Sequence, residues 1–397
     1  MNHLLYGDGI HDDYPAIQEM IDSAKHELRL PEPEVCYLIS RPLELPSDFK
    51  LSLPRFAEIK LAKGSNCFML MNKAASQPDG QSIRPEELFG LVCRHSAILP
   101  CRNIEVEGGI WNFNNLEQNP NPIYTGVYEP KDYLGFGFLF CHVRNLRISS
   151  LTLKDPTNFA VTLDTVSYFT VDNITFDFNY GNPLATNMDG IHLNGNCHFG
   201  HIANLKGACY DDLVALNADE GSAGPITSIT IDGLYAEDCH SAVRLLSANH
   251  PVKKVHISNV YGTYYQYCIG ITRFYEAKDK GCFDSITIDS VYASKALRIP
   301  VYAKKETDYV YPLIYIQDKL RIRALRISDL HRREEINPVS TICVREDTEI
   351  DQLILTNITT ENHTGCPEMP LFDNRGTVRS LKAEMLFADG EPVELKL

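Results

Sequence analysis

The chain has 397 residues, 44% hydrophobic and 22% charged, with a formal net charge of −15. No apolar run reaches the roughly 18 residues that a membrane-spanning helix needs, and the negative field disfavours phosphate-rich partners, so neither a membrane nor a nucleic acid is expected. The twelve cysteines are scattered singly, without CxxC pairs or zinc-like Cys/His spacing, so reduced packing residues are expected, with no metal and no cofactor.

The first residues show neither a basic nor an apolar leader segment. A cytoplasmic location is expected if the chain is full length, and a secreted or periplasmic one if a leader has been removed. From Asp8, "DGIHDDYPAIQEMIDSAKHEL" sets Ile17, Met20, Ile21, Ala24 and Leu28 at helical spacing, with Asp12 or Asp13 to cap and Pro15 in the first turn. This predicts an N-terminal capping α-helix over about residues 1–30. Residues 72–90 and 112–136 are rich in Asn, Pro, Gly and Gln and are predicted to be long loops. The aromatic set Trp111, Phe113, Tyr124, Tyr128, Tyr133 and Phe136 makes the second loop a candidate sugar platform.

From Leu146 onward a six-residue pattern recurs: apolar, any, apolar, any, turn-former, apolar. It reads "LRISSL", "FTVDNI", "GHIANL", "ITIDGL", "VHISNV", "ITIDSV", "LRISDL" and "LILTNI", with Gly200 in the first slot of the third copy. The fifth slot is Ser150, Asn173, Asn204, Gly233, Asn259, Ser290, Asp329 and Asn357, all residue types that tolerate left-handed backbone or close Asx turns. Alternation before a fixed turn, repeated at irregular spacing, predicts short strands stacked as coils. The expected fold is therefore all-β, a parallel β-helix forming one domain over 1–397, with coils over 35–365 and a closing cap over 366–397. A β-sandwich is the alternative, but hairpin-turn signals are scarce.

The same repeat serves as a ruler. Asp211 lies seven residues past Asn204, and His240 seven past Gly233, so the two should stack on neighbouring rungs about 5 Å apart. "LVAL" from Leu213 aligns with "AVRL" from Ala242, and Asp189 precedes Ile191 and Leu193 as Asp212 precedes Val214 and Leu216. Asp189, Asp211, Asp212 and His240 should thus converge at turn-to-strand junctions on the outer surface. Crowded carboxylates push their pKa values apart, leaving one protonated as an acid and others ionised as bases. His192 and Arg244 share the outward parity of this strand face and are candidate substrate-binding residues.

Asn187-Met188-Asp189-Gly190-Ile191, then Asp211-Asp212, His240 and Arg273, resemble in order and approximate spacing the motifs of glycoside hydrolase family 28, the polygalacturonases and their relatives. "GDGIHDDYPAIQEMIDSA" is similar to the N-terminal segment of pectin-active β-helix proteins, which implies a right-handed parallel β-helix. By this resemblance Asp211 is the general acid, Asp189 and Asp212 activate the attacking water for inversion, and His240 tunes the acid. Asn187, Arg273 and the residue at position 275 face the substrate. The family lysine at that last position is Tyr275 here, so Arg244 would have to take over the clamping of a uronate carboxylate. The implied partner is an oligo- or polysaccharide of pectic type or with other acidic or deoxy sugars, trimmed from one end if the protein is cytoplasmic. A lyase or epimerase acting at the uronate C5, and a non-catalytic glycan-binding solenoid, are the alternatives. Monomer and homo-oligomer are both compatible with the sequence.

Overall fold

The computed structural model describes residues 3–73, 100–119, 135–179, 187–273, 279–296 and 311–395. It is a right-handed parallel β-helix. Among the described residues an 18-stranded and an 11-stranded sheet run along the stack, and all pairings are parallel save the last, where Leu381–Ala388 meets Glu391–Pro392 antiparallel.

The repeat stacks in register. Leu146, Phe169, Gly200, Ile229, Val255, Ile286, Leu325 and Leu353 pair in succession from rung to rung. All eight fifth-slot residues have positive φ, from 52° at Asp329 to 75° at Gly233. The geometry explains the pattern. Slots one and three point inward, and a left-handed residue at slot five absorbs one step of the alternation, so slot six points inward again. The sixth-slot residues Leu151, Ile174, Leu205, Leu234, Val260, Val291, Leu330 and Ile358 are accordingly all fully buried. Gly200 occupies a first slot because a Cβ there would come within 2.1 Å of the Phe169 ring, which fills that space from the rung below.

The helix is shorter than the periodicity predicts. It spans Tyr14–Ser23 and buries Ala16, Ile17 and Ile21 against the first coil, whereas Leu28 belongs to a strand, Glu27–Arg29. Of the two predicted aspartates, Asp12 accepts the N–H of Tyr14, the first helical residue, on Oδ1 at 3.1 Å, whereas Asp13 makes no side-chain cap. The Asp13 carboxylate instead accepts hydrogen bonds from the N–H groups of Tyr6 at 2.6 Å, Gly7 at 3.2 Å and Leu38 at 3.2 Å, tying the N-terminal segment to the coil.

Trp111 and Phe113 are core residues, not part of a projecting platform. Trp111 is fully buried, donates its indole N–H to the Gly108 carbonyl at 3.1 Å and packs edge-on against Phe138, with ring centres 4.8 Å apart. Tyr124, Tyr128 and Tyr133, and most of both predicted long loops, lie outside the described residues.

Candidate active site

The 11-stranded sheet carries the site on its outer face. Its strands Ile191–Leu193, Asp212–Asn217, Ser241–Leu246, Ile269–Thr272 and Ile314–Ile316 stack so that His192, Ala215, Arg244, Gly270 and Tyr315 form one outward column. Asp212 pairs with Ser241, which sets Asp211 over His240 on adjacent rungs. Gly190 between the acids is a packing requirement: a Cβ there would approach the Leu213 carbonyl oxygen at 2.6 Å and the Phe176 ring at 2.9 Å.

A cleft of about 510 Å³ opens over this column. Asn187, Asp189, His192, Asp211, Asp212, His240, Arg244 and Arg273 all line it, so the structure brings together every described residue that the sequence nominated for catalysis or for binding beside the acids, though not the aromatic platform. Tyr275 lies outside the described residues. The cleft also takes in Glu220, Tyr267, Tyr315 and Gln317, which sequence reasoning missed. Tyr315 had a signal, since counting the outward column one strand further reaches it. Glu220 and Tyr267 come from turns, where the ruler has no markings.

The carboxylates do not sit on an open surface. The side chains of Asp189 and Asp212 are 4% and 3% exposed, against 20% for Asp211. Burial comes from stacking: each rung covers the next. The Asp212 N–H donates to Asp189 Oδ1 at 3.3 Å, the Asn187 N–H donates to Asp211 Oδ2 at 3.2 Å, and the Ser241 hydroxyl donates to Asp212 Oδ1.

Burial pushes all three carboxyls up. Asp189, which also feels the Asp211 charge, reaches about 8, and Asp212 rises for the same two reasons. Asp211 rises through burial against the opposing pull of Arg244. All three carboxyls therefore hold their protons above the ordinary value of 3.8, and their titrations are linked.

Of the basic residues around the triad, Arg244 counters its charge. Arg244 is not the free clamp its outward parity suggests: its Nε donates to Thr272 Oγ1 at 3.0 Å and an Nη lies 3.7 Å from Asp212 Oδ2. The Arg273 N–H donates to Gln317 Oε1 at 2.6 Å, which fixes that end of the cleft. His240 Nδ1 sits 3.5 Å from Asp211 Oδ1, too far for a hydrogen bond, and is buried without a partner. Burial pulls His240 down to about 4, so it is neutral at pH 7.

Asp211, Asp212 and His240 offer donor atoms within 4.8 Å of one another, which invites comparison with a divalent-cation site. The surroundings do not fit one. A guanidinium already faces Asp212 and a hydroxyl occupies one of its oxygens.

No protein-family model and no curated protein matches the sequence. Solved structures do match. The family 28 exopolygalacturonase of Yersinia enterocolitica aligns at a TM-score of 0.57 and 13% identity, over 98% of this chain and 77% of that one. The endo-xylogalacturonan hydrolase of Aspergillus tubingensis aligns at 0.61 and 14%, over 94% and 98% of the respective chains. PfbA, a surface adhesin of Streptococcus pneumoniae, aligns at 0.55 and 15%, over 97% and 90%. These likenesses establish the β-helix fold.

Proposed function

We propose that the protein is an inverting glycoside hydrolase acting on pectic-type or other acidic or deoxy-sugar oligosaccharides. The observation that carries this reading is the convergence of three mutually interacting carboxyls in one cleft, of which only Asp211 is appreciably open to an incoming sugar. Asp211 delivers its proton to the glycosidic oxygen as the bond to the anomeric carbon breaks. Asp189 and Asp212 draw the proton from a water attacking the opposite face. Neutral His240, whose Nδ1 lies beside Asp211 with no hydrogen-bond partner among the described residues, tightens onto that acid when substrate closes the gap.

Arg244 and Arg273 put positive charge into the cleft of a chain that is otherwise net negative, which suits a substrate bearing carboxylates. The hydrolases among the structural neighbours carry names pointing to galacturonan and xylogalacturonan, in keeping with this choice. The test is incubation with pectic, rhamnogalacturonan and other acidic oligosaccharides, wild type beside Asp211→Asn, following reducing ends, absorbance of unsaturated products and the anomer released by NMR. Reducing ends with inverted anomers, lost in the variant, are expected. New absorbance would replace the reading with lyase chemistry, and glycan binding without turnover in either form would replace it with a binding solenoid.

A further inference from the structure

His192 stands between two carboxylates. Its Nδ1 lies 2.5 Å from Asp189 Oδ2 and its Nε2 lies 2.9 Å from Glu220 Oε2. Carboxylates only accept hydrogen bonds, and a neutral imidazole has a single donor nitrogen, so both contacts form fully only when the ring carries two protons or one carboxyl is protonated. The Phe159 ring lies parallel to the imidazole, with centres 3.9 Å apart, and holds it edge-on to both carboxylates. A cation over an aromatic face is favoured in a desolvated setting. Glu220 comes from the turn after the strand Asp212–Asn217 and is 19% exposed, whereas the His192 side chain is 4% exposed.

We infer that Glu220 is a positioning residue that keeps His192 doubly protonated, and through it holds down the pH above which Asp189 is ionised as the water-activating base. This rests on the hydrolase reading. Asp189 faces Asp211 and Asp212, which disfavour its charge, with Arg244 and His192 as the cations opposing them. Among the described residues His192 bonds the Asp189 and Glu220 carboxylates directly, and its charge also acts on Asp211. Burial pulls its proton off, and the hydrogen bonds to those two carboxylates more than offset this, holding it up at about 10. Removing the Glu220 charge lowers the imidazolium's hold on its proton, which in turn raises the Asp189 carboxyl. The base is then protonated at pH values where wild type has it ionised.

The experiment compares wild type, Glu220→Gln and Glu220→Asp by two readouts. In the first, ¹⁵N signals of the His192 imidazole are followed against pH without substrate. An imidazolium in wild type through neutral pH is expected, with its titration falling by about one pH unit or more in Glu220→Gln and restored in Glu220→Asp. In the second, the acid limb of the kcat/KM profile should move to higher pH in Glu220→Gln, with about a tenfold loss at the foot of the limb and near wild-type rates on its plateau. His192 titrating at the same pH in all three proteins, or a rate loss uniform across pH, would overturn the inference. If wild type turns over no glycan, the hydrolase reading fails, and the imidazole titration alone decides whether Glu220 governs His192.

Discussion

Asp211 is the residue on which function and stability pull in opposite directions. Its carboxyl is raised by burial, so the folded state prefers the neutral form. The stability this group contributes is fully present below the ordinary value of 3.8 and is lost as pH rises through the raised one. Asp211→Asn removes the charge and leaves an oxygen to accept the Asn187 N–H. The variant should lose about 10²- to 10⁴-fold in turnover. It should also melt about 1–3 °C higher than wild type at pH 8, with no difference at pH 3. Calorimetry at the two pH values checks the sign. His192 carries a dependence of the same sign, displaced to higher pH. Its imidazolium contribution is fully present below 6.5 and is lost as pH rises through about 10, so wild type should lose thermal stability between pH 7 and 10. In His192→Gln that descent should flatten.

Among the elements, the turn at slot five sets the register that brings the acids together. At Asn259, with φ of 56°, the side-chain amide also donates to Asp232 on the rung below at 2.7 Å. Asn259→Val should cost about 1–2 kcal/mol, because a β-branched residue resists left-handed backbone, while Asn259→Gly should cost less. Urea midpoints distinguish the two, and turnover of both should be unchanged. These turns were legible in the sequence because so few residue types accept positive φ. Asp211 and Asp212 were legible because they sit at a fixed count from a turn, and Asp189 because the strand after it aligns with theirs. Glu220 and Tyr267 escaped because they lie on connections whose lengths vary from coil to coil. Arg332 and Glu334 escaped for another reason: strand alternation marks a charged residue as outward-facing, yet both side chains here are fully buried. They pair with each other at 2.7 Å, and Arg332 also donates to the Asn337 and Val339 carbonyls, folding the segment between onto the coil. Glu334→Gln leaves a buried guanidinium without its counter-charge and should cost about 3–5 kcal/mol, read as a lowered melting temperature.

At the scale of the whole molecule, the stack needs its open ends covered, since a bare coil exposes both its interior and a row of unpaired backbone groups. The helix Tyr14–Ser23 does this at the N-terminal end by burying Ile17 and Ile21 completely. Replacing both with Asp should uncover the first rungs and give concentration-dependent light scattering, with the cleft some rungs away still formed in the fraction that stays soluble. The fold class could be read in advance because the repeat is quasi-one-dimensional, whereas the cover's true length could not, since Leu28 fits a helical period and an inward strand position equally well. Trp111, the chain's single tryptophan, is sealed inside an early rung. Its emission is therefore a built-in optical reporter for one district of the solenoid, while far-UV dichroism averages over every coil. If the two signals change together on heating, the stack melts as one body. If the tryptophan shifts first, the molecule unzips from its helix-covered end, and the rungs that line the cleft outlast the cover.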